Sequence, residues 1–512
     1  MIWSPAATAD RRRLGRRGVL AAALLLALLG GGAIGLLVTV PPLLWLLLLG
    51  AGPALLAVAR RPALAVYALA VAVPLTSTLP RGSPVPLLKP NELLLGLLVA
   101  LALAREVLNG LSPGHPRSLF GREPLGLAFG VYLLGVIVLP GLSALATGAM
   151  LTTSDVTALL APVQYFLLYR LARAAVRSER QAAAALAATM LTGLLVAIIG
   201  IAQAFQLGDV PRLLAQVYPT GEGARALAVS RITSTLAGWN DLAAYLACCV
   251  VTGLTLAASS RSRLLLAAIL PACGVCLLGI ALAGSFAPML GILAALLALA
   301  AATGARRGLP RLLAAVALTV LGTGLAIAQA PSLQAWVSSR LLWQSAGASG
   351  LLPTTLVERL GLWPMVLEAA ARGPLPLLFG SGPTTDHIIR QLGPSWALVR
   401  YFLFTERVYG GATEESQYLL LLLRFGLVGL LAHAVLVVAA LRLCLARLRA
   451  EAGLARMAGR CGLALLAMFS VMGVSNAYFT YSGAAETLWL VLALASRRSL
   501  GRGIEAEEVR GR

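Results

Sequence analysis

The sequence predicts an all-α polytopic membrane protein with about fourteen transmembrane helices and one large outer loop. Of the 512 residues, 59% are hydrophobic and 12% are charged, whereas soluble domains are about half apolar and a quarter charged. The apolar residues form runs near the roughly 20 residues that cross a bilayer, and arginines bracket these runs. Backbone groups in lipid must be satisfied internally, so runs of this kind must be helices.

The first span follows an arginine-rich start, Arg11 to Arg17, which resembles the beginning of a signal peptide. The apolar run after it is too long for a signal peptide, and more spans follow at once, so we expect a retained helix. The predicted spans, in order, are 18–39, 43–59, 62–79, 91–108, 125–147, 155–174, 182–205, 239–259, 263–283, 285–303, 311–330, 417–443, 459–478 and 481–497.

The arginines between the spans predict the topology, because connections on the cytoplasmic side are rich in Lys and Arg. With a cytoplasmic amino terminus, every arginine-rich connection falls inside, and so does the carboxy-terminal tail. We therefore expect a multi-pass protein of the bacterial inner membrane with both termini in the cytoplasm. The inside connections are Arg60-Arg61, Arg117 to Arg122, Arg170 to Arg180, Arg261 to Arg263, Arg306 to Arg311 and Arg442 to Arg460.

Two outer segments are longer than a simple connection and carry arginines that oppose the topology rule. Arg225 and Arg231 lie in the first, and Arg359 lies in the second. These arginines are either solvated, in contact with anionic headgroups, or functional. The predicted divisions are N-terminal helices 1–205, a periplasmic loop 206–238, central helices 239–330, a large periplasmic loop 331–416, C-terminal helices 417–497 and a cytoplasmic tail 498–512.

Several function classes are not supported by the sequence. Lys89 is the single lysine, and the arginines follow membrane topology rather than a soluble nucleic-acid-binding face. Cys273 and Cys276 form a CxxC inside an apolar helix without a second pair, so small packing residues are the expected role. No histidine cluster or phosphate-binding glycine loop appears, and we expect no metal, no cofactor and no nucleic acid.

The outer segments combine arginines with carboxylates, which suits a polar substrate presented from the membrane. Arginine grips phosphate with a planar and permanently charged fork. A carboxylate such as that of Glu414 or Glu415 can take a proton from an attacking hydroxyl group. These glutamates can equally cap the helix that starts near Gln417, and the two roles are compatible.

Three stretches resemble the O-antigen ligase and O-antigen polymerase family of membrane enzymes. The first is RITSTLAGWN at 231–240, where an arginine and a turn precede Asn240 at a helix start. The second runs from Arg359 and Trp363 to GSGP at 380–383, and it resembles the family pattern R-x-x-x-W followed by P-x-x-G-x-G. The third, 415–430, resembles H-N-x-Y-L followed by G-L-x-G-L.

The resemblance implies a GT-C-like architecture and a glycosyl donor on undecaprenyl diphosphate. It implies that Arg231 and Arg359, with Arg225 behind them, stabilise the departing diphosphate, and that Glu415 or Glu414 is the base. Membrane lipids, a chain-length regulator and a flippase are the other candidate partners. The candidate substrate-binding residues are Asn240, Trp363, Arg424, Tyr418 and His387.

The sequence departs from the family pattern at two places. Glu415 and Ser416 stand where the family's ligases have histidine and asparagine, which favours a polymerase over a ligase. The family often has Ser-Arg-Gly near the end of a middle helix, but Ser285 is followed by Phe286, so no arginine is carried over. We expect Arg424 to face a cavity or to pair with a carboxylate such as Glu486, since an arginine facing lipid is costly.

Two other functions stay open. An O-antigen ligase would transfer the finished glycan to the lipid A-core acceptor. A transporter or flippase of lipid-linked sugars would place its polar groups near the bilayer midplane on broken helices in repeated halves. The polar groups of this chain concentrate in outer loops instead, and no internal repeat is visible.

Overall fold

The computed structural model describes residues 56–79, 88–110, 123–146, 150–218, 231–259, 262–303, 363–384, 387–388, 416–449 and 453–497. Every regular element in these segments is a helix. Six of the helices are long and apolar enough to cross a membrane. The chain is therefore a helical, membrane-embedded protein, as its composition predicts.

The helices are numbered in chain order. They are α1 (Ala63–Thr76), α2 (Pro90–Gly110), α3 (Pro124–Leu133), α4 (Leu139–Ala146), α5 (Thr153–Ala175), α6 (Glu179–Ala204), α7 (Val210–Val217), α8 (Trp239–Ser259), α9 (Arg263–Ala283), α10 (Phe286–Thr303), α11 (Pro374–Phe379), α12 (Gln417–Leu448), α13 (Leu454–Met472) and α14 (Ala484–Ser496). A π-helical turn, Leu134–Val138, joins α3 to α4, and a 3₁₀ turn, Tyr478–Thr480, precedes α14.

Eleven of the fourteen predicted spans coincide with helices. In this count α3, the π turn and α4 together correspond to the single predicted span 125–147. The spans 18–39 and 311–330, and most of 43–59, lie outside the described residues. The largest boundary difference is at α13, which covers Leu454–Met472 instead of 459–478. Its first turns carry Arg456 and Arg460, whose long side chains allow a charged residue to extend a membrane helix at its end.

Two helices form the centre of the bundle. All thirteen residues of α14 are buried. In α8, 83% of the 18-residue apolar stretch is buried. Small residues allow close packing around α8, where Cys249 lies against Gly193 and Cys273 lies against Gly253. All six cysteines are buried and free.

Other helices turn large apolar side chains outward, as a lipid-facing surface requires. Leu297 of α10 is 65% exposed and Leu431 of α12 is 64% exposed. Exposed leucines on single helices are common in proteins, but here α12 has a mean hydropathy of 2.3 and α10 is a shorter apolar helix. This combination is typical of helices that contact lipid.

Charged groups concentrate at one end of the bundle, which we call the arginine-rich end. Glu123, before α3, binds Arg170 at 3.2 Å and Arg173 at 2.7 Å, both near the end of α5. Arg447, in the last turn of α12, donates to the Ala495 carbonyl at 2.7 Å. The sequence predicted that the connections following α5 and α12 share a side, and the two meet where Glu179, at the start of α6, accepts the Leu454 N–H of α13 at 3.1 Å.

Candidate functional site

The opposite end of the bundle carries polar segments from distant parts of the chain. We call it the site end, and it comprises residues 75–79, 152–155, 203–218, 231–241, 284–285, 378–384, 387–388, 416–426 and 473–483. Hydrogen bonds link these segments in pairs, as when Thr78 donates to the Thr235 carbonyl at 2.7 Å. The first stretch, the GSGP end of the second and the described start of the third, which together carry the family resemblance, lie here.

The loop Gly380–Pro383 docks on a break in helix α12. Gly426 has φ 66° and ψ −167°, which interrupts the helix and leaves the Leu423 carbonyl without its usual partner one turn later. The Ser381 N–H donates a hydrogen bond to the Leu423 carbonyl at 2.7 Å. Arg424 donates from Nη1 to the Pro383 carbonyl at 3.1 Å. The second and third stretches of the resemblance therefore form one interlocked unit.

Two glycines make this close approach of backbones possible. A Cβ atom at Gly380 would lie 2.0 Å from the Arg424 carbonyl oxygen, and one at Gly426 would lie 2.3 Å from the Leu378 carbonyl oxygen. Both glycines have positive φ, 85° and 66°, a region that other residues rarely adopt. Only glycine fits at either position.

A buried carboxylate, that of Asp155, holds the residues that follow this loop, Thr384 and His387. Asp155, in the first turn of α5, is 0% exposed. It accepts a hydrogen bond from the Thr384 hydroxyl and lies 3.3 Å from His387 Nδ1 through its Oδ2 atom. Asp155 also forms a capping box with Thr152, whose N–H donates to Oδ2 at 2.8 Å. One side chain thus caps α5 and fastens the loop to it.

His387 lies inside this cluster and not on the surface, since it is only 1% exposed. Its ring packs on Gly382, where a Cβ atom would come within 2.1 Å of His387 Cδ2. Within the described segments, His387 Nε2 and the Ser381 hydroxyl are buried and have no hydrogen-bond partner. The sequence predicted His387 as a substrate-binding residue. In the structure, its contacts with Asp155 and Gly382 hold it against the Gly380–Pro383 loop.

Replacing Asp155 with alanine is expected to destabilise the protein by about 3 kcal/mol, because it breaks the capping box of α5 and leaves the Thr384 hydroxyl and the buried His387 ring without their carboxylate partner. Thermal unfolding of the purified protein in detergent would measure the loss. Asp209→Ala is the matched control, since Asp209 precedes α7 but is exposed and makes no side-chain cap. Equal melting temperatures for both variants would contradict the stabilising role given to the contacts of Asp155.

Arg231 is held at the site end by an aromatic ring and a sharp turn. Its guanidinium carbon lies 4.8 Å from the centre of the Trp239 ring, within the range of a cation–π interaction. Gly284, with φ 65°, ends α9 beside Arg231. A Cβ atom at Gly284 would lie 3.7 Å from Arg231 Nε. The planar guanidinium is therefore oriented before any ligand arrives.

Asn240 follows Trp239 and connects two helices. It accepts a hydrogen bond from the Ser285 hydroxyl at 2.7 Å through its side-chain oxygen. Ser285 lies between α9 and α10, where the family often continues with an arginine that this chain lacks. The hydrogen bond gives Asn240 a positioning contact at the turn beside Arg231.

Gln203 fixes the segment between Arg231 and Trp239. Its side-chain oxygen accepts the N–H groups of Thr233 at 3.1 Å and Ser234 at 2.8 Å. The Ser234 hydroxyl in turn donates to the Val196 carbonyl at 2.7 Å, and Ser234 has a positive φ of 51°. The segment is thus anchored to α6 and not free to move as an open loop.

The remaining predicted residues have different settings. Tyr418 donates to the Ser470 carbonyl at 2.8 Å, which joins α12 to α13. Trp363 lies in a helical segment that is described over residues 363–370, and its indole N–H is buried without an acceptor among the described residues. Glu486 is not a partner of Arg424, since its Oε2 accepts the Gly483 N–H at 2.6 Å and its Oε1 has no hydrogen-bond partner among the described residues.

Four predicted residues, Glu414, Glu415, Arg359 and Arg225, lie outside the described residues. Two important ones, Asp155 and Gln203, were missed by the sequence reasoning. The signal for Asp155 was present as Thr152-x-x-Asp155, a capping box at a predicted helix start. Nothing local to Gln203 indicates that it binds a segment 30 residues later.

Comparison of the chain with family models and with curated proteins finds no match. The resemblance to O-antigen ligases and polymerases therefore rests on the three stretches and their order along the chain. In the segments that the structure describes, no three His, Cys, Asp or Glu side chains group as metal ligands. The polar side chains described at the site end are cationic, amide, hydroxyl, imidazole and aromatic groups, together with the carboxylates of Asp155, Asp209 and Asp241.

Proposed function

We propose that the protein is a polymerase that joins undecaprenyl-diphosphate-linked oligosaccharide units into a surface polysaccharide. One observation carries the proposal: the second and third stretches of the resemblance interlock at Gly380–Gly426. The first stretch, with Arg231 and Asn240, lies at the same end of the bundle, because Leu236 lies beside Gly483 while the Gly473 carbonyl accepts the Gln417 N–H at 2.8 Å. If the three stretches of the family pattern form one site, they are expected to lie close together in the fold although they are far apart in the sequence.

The proposed reaction is an inverting glycosyl transfer. The acceptor hydroxyl oxygen attacks the anomeric carbon, and the bond from that carbon to the diphosphate oxygen breaks with its electron pair going to the diphosphate. The hydroxyl proton passes to a carboxylate, for which Glu415 with Glu414 beside it is the candidate. Arg231 and Arg359 offset the new negative charge, so that the step does not require a metal ion.

The membrane setting fits a lipid-linked donor. The proposed arrangement is a GT-C-like bundle of fourteen spans in the bacterial inner membrane, with both termini cytoplasmic. Its support is that helices occupy eleven predicted spans and that the ion pairs of Arg170 and Arg173 lie at the end opposite the site end. The site end would then face the periplasm, where a lipid anchor can remain in the bilayer while its sugar reaches Arg231.

Purified full-length protein is expected to convert a lipid-linked oligosaccharide into longer lipid-linked glycans, with equal rates in the presence and absence of a chelator. Product length on a glycan gel is the measurement, and heat-inactivated protein is the control. Absence of any new glycosidic product from a folded preparation would reject glycosyl transfer. Loss of activity with the chelator would reject the metal-independent step.

The same assay separates the alternatives. An O-antigen ligase would transfer preformed polymer to lipid A-core and would not lengthen the lipid-linked chain. A flippase or transporter would accumulate labelled substrate in proteoliposomes without forming a glycosidic bond. The acidic residue at position 415, where ligases of the family have histidine, is the reason for placing polymerase first.

A further inference from the structure

A cavity lies between α1, α5, α6 and α14 and adjoins the site end, since Pro74 and Gly483 are among its lining residues. Its wall is mainly apolar and includes Val66, Leu69, Val73, Leu168 and Leu490. Among the lining residues, Glu486 is the one that can ionise, and Thr189 and Thr487 supply hydroxyl groups. The glycosyl-transfer proposal gives this cavity no role.

Glu486 enters the cavity as a carboxyl group with only one oxygen satisfied. The side chain is 8% exposed, and Oε2 accepts the Gly483 N–H at 2.6 Å. Oε1 is buried and has no hydrogen-bond partner among the described residues. An ionised carboxylate with a bare oxygen in an apolar cavity is strongly disfavoured, so it either binds a cation or holds a proton.

The neighbouring hydroxyls cannot serve as donors to Oε1, because both have given their hydrogens to helix carbonyls. Thr487 donates to the Gly483 carbonyl at 2.8 Å, and Thr189 donates to the Ala185 carbonyl at 3.1 Å. Their oxygens still have lone pairs, so each can accept a hydrogen bond. The cavity therefore favours an O–H group on Glu486 over a bare carboxylate.

Among the described residues, the titratable groups packed around Glu486 are neutral, and the cation that acts on it, Lys89, does not line the cavity. Tyr165 of α5 and Tyr245 and Cys248 of α8 are the neighbours, and these residue types ordinarily stay neutral below about pH 8. Lys89 acts on Glu486 from beyond the end of α1, where its ammonium group donates to the Ser77 carbonyl at 2.8 Å. That ammonium group is thus engaged outside the cavity.

We propose that Glu486 is a membrane-embedded proton-binding site, with its carboxyl group protonated on Oε1 at neutral pH. The ligand is a proton and not a metal cation, since Glu486 and two threonines offer few oxygens where hard cations need a nearly complete shell. The inference is independent of the proposed glycosyl transfer. It assigns a chemical role to the acidic group in the interior of the bundle.

Dicyclohexylcarbodiimide tests the assignment, because its C=N bond adds the O–H of a protonated carboxylic acid and forms a stable adduct in apolar surroundings. The full-length protein in detergent is expected to gain one adduct at Glu486, located by peptide mass mapping. The labelling rate should fall about tenfold for each pH unit above the pKa of this group, because only the protonated form reacts.

Glu486→Gln should gain no adduct at this position, whereas Glu179→Gln should label at the rate of the unmodified protein. Glu179 is the matched control because it is exposed and accepts the Leu454 N–H at 3.1 Å at the arginine-rich end. If Glu486→Gln does not fold, the peptide map and the pH profile of the unmodified protein decide alone. Absence of an adduct at Glu486, a rate independent of pH, or slowing by sodium at constant pH would each overturn the proposal.

Discussion

Replacing Gly426 with alanine is expected to destabilise the protein by about 3 kcal/mol or more and to detach the Gly380–Pro383 loop. Two costs add. The backbone at φ 66° and ψ −167° lies in a region that is almost restricted to glycine, which costs roughly 1–3 kcal/mol for another residue. The new Cβ would also lie 2.3 Å from the Leu378 carbonyl oxygen, and relieving such an overlap costs roughly as much again.

The overlap cannot be relieved by a side-chain movement, because the atoms it meets are backbone atoms of Leu378 and Gly380. Either the loop leaves α12 or α12 straightens through Gly426. In both cases the Ser381 N–H loses the Leu423 carbonyl, and the Pro383 carbonyl loses Arg424. A structural break at one glycine should therefore also reduce any activity that depends on Arg424.

Thermal unfolding in detergent would measure this effect, with Gly130→Ala as the matched control. Gly130 lies in α3, which packs on α12, and a Cβ there would meet no atom within 4 Å. Alanine at an open helical position is neutral or slightly stabilising. A melting temperature for Gly426→Ala that equals that of Gly130→Ala would show that the break in α12 is not fixed by the loop.

The helices themselves could be predicted because their signal is local. The predicted spans 239–259 and 263–283 agree with α8 and α9 residue for residue, since a charged or polar residue bounds each apolar run. The prediction was poorer for α13, because hydropathy placed residues 473–478 in the membrane helix. The structure has a turn there, where the Gly473 carbonyl accepts the Gln417 N–H at 2.8 Å.

The contacts of the site could not be predicted because they join residues far apart in the chain. Asp155 and His387 are separated by 232 positions, and Arg424 and Pro383 by 41. The sequence pattern Thr152-x-x-Asp155 predicts that Asp155 caps a helix. The same pattern also occurs in helix caps that make no long-range contact, so it does not predict the contacts with Thr384 and His387. The interlock of Gly380 with Gly426 is similarly invisible until both backbones are placed together.

Replacing Arg231 with alanine is expected to lower the turnover of lipid-linked oligosaccharide by about 10²–10³-fold while leaving the protein folded. The magnitude is that of removing one fixed group that stabilises charge developing in a transition state. Folding should survive because Trp239 and the hydrogen bonds of Gln203 hold the segment without the guanidinium. The rate constant at saturating substrate is the measurement, since the lost contact forms with the departing diphosphate.

Two further variants show whether the effect belongs to the guanidinium itself. Arg231→Lys keeps the charge but lacks the planar fork that stacks on Trp239 and grips two phosphate oxygens, so it should recover only part of the rate. Arg212→Ala removes an exposed arginine from α7, at the same end of the bundle, and should leave the rate unchanged. If Arg231→Ala and Arg212→Ala slowed turnover equally, a diffuse attraction between a cationic surface and an anionic lipid would explain both. If neither did, Arg231 would be a structural residue stacked on Trp239, and the charge acting on the diphosphate would have to come from elsewhere in the chain.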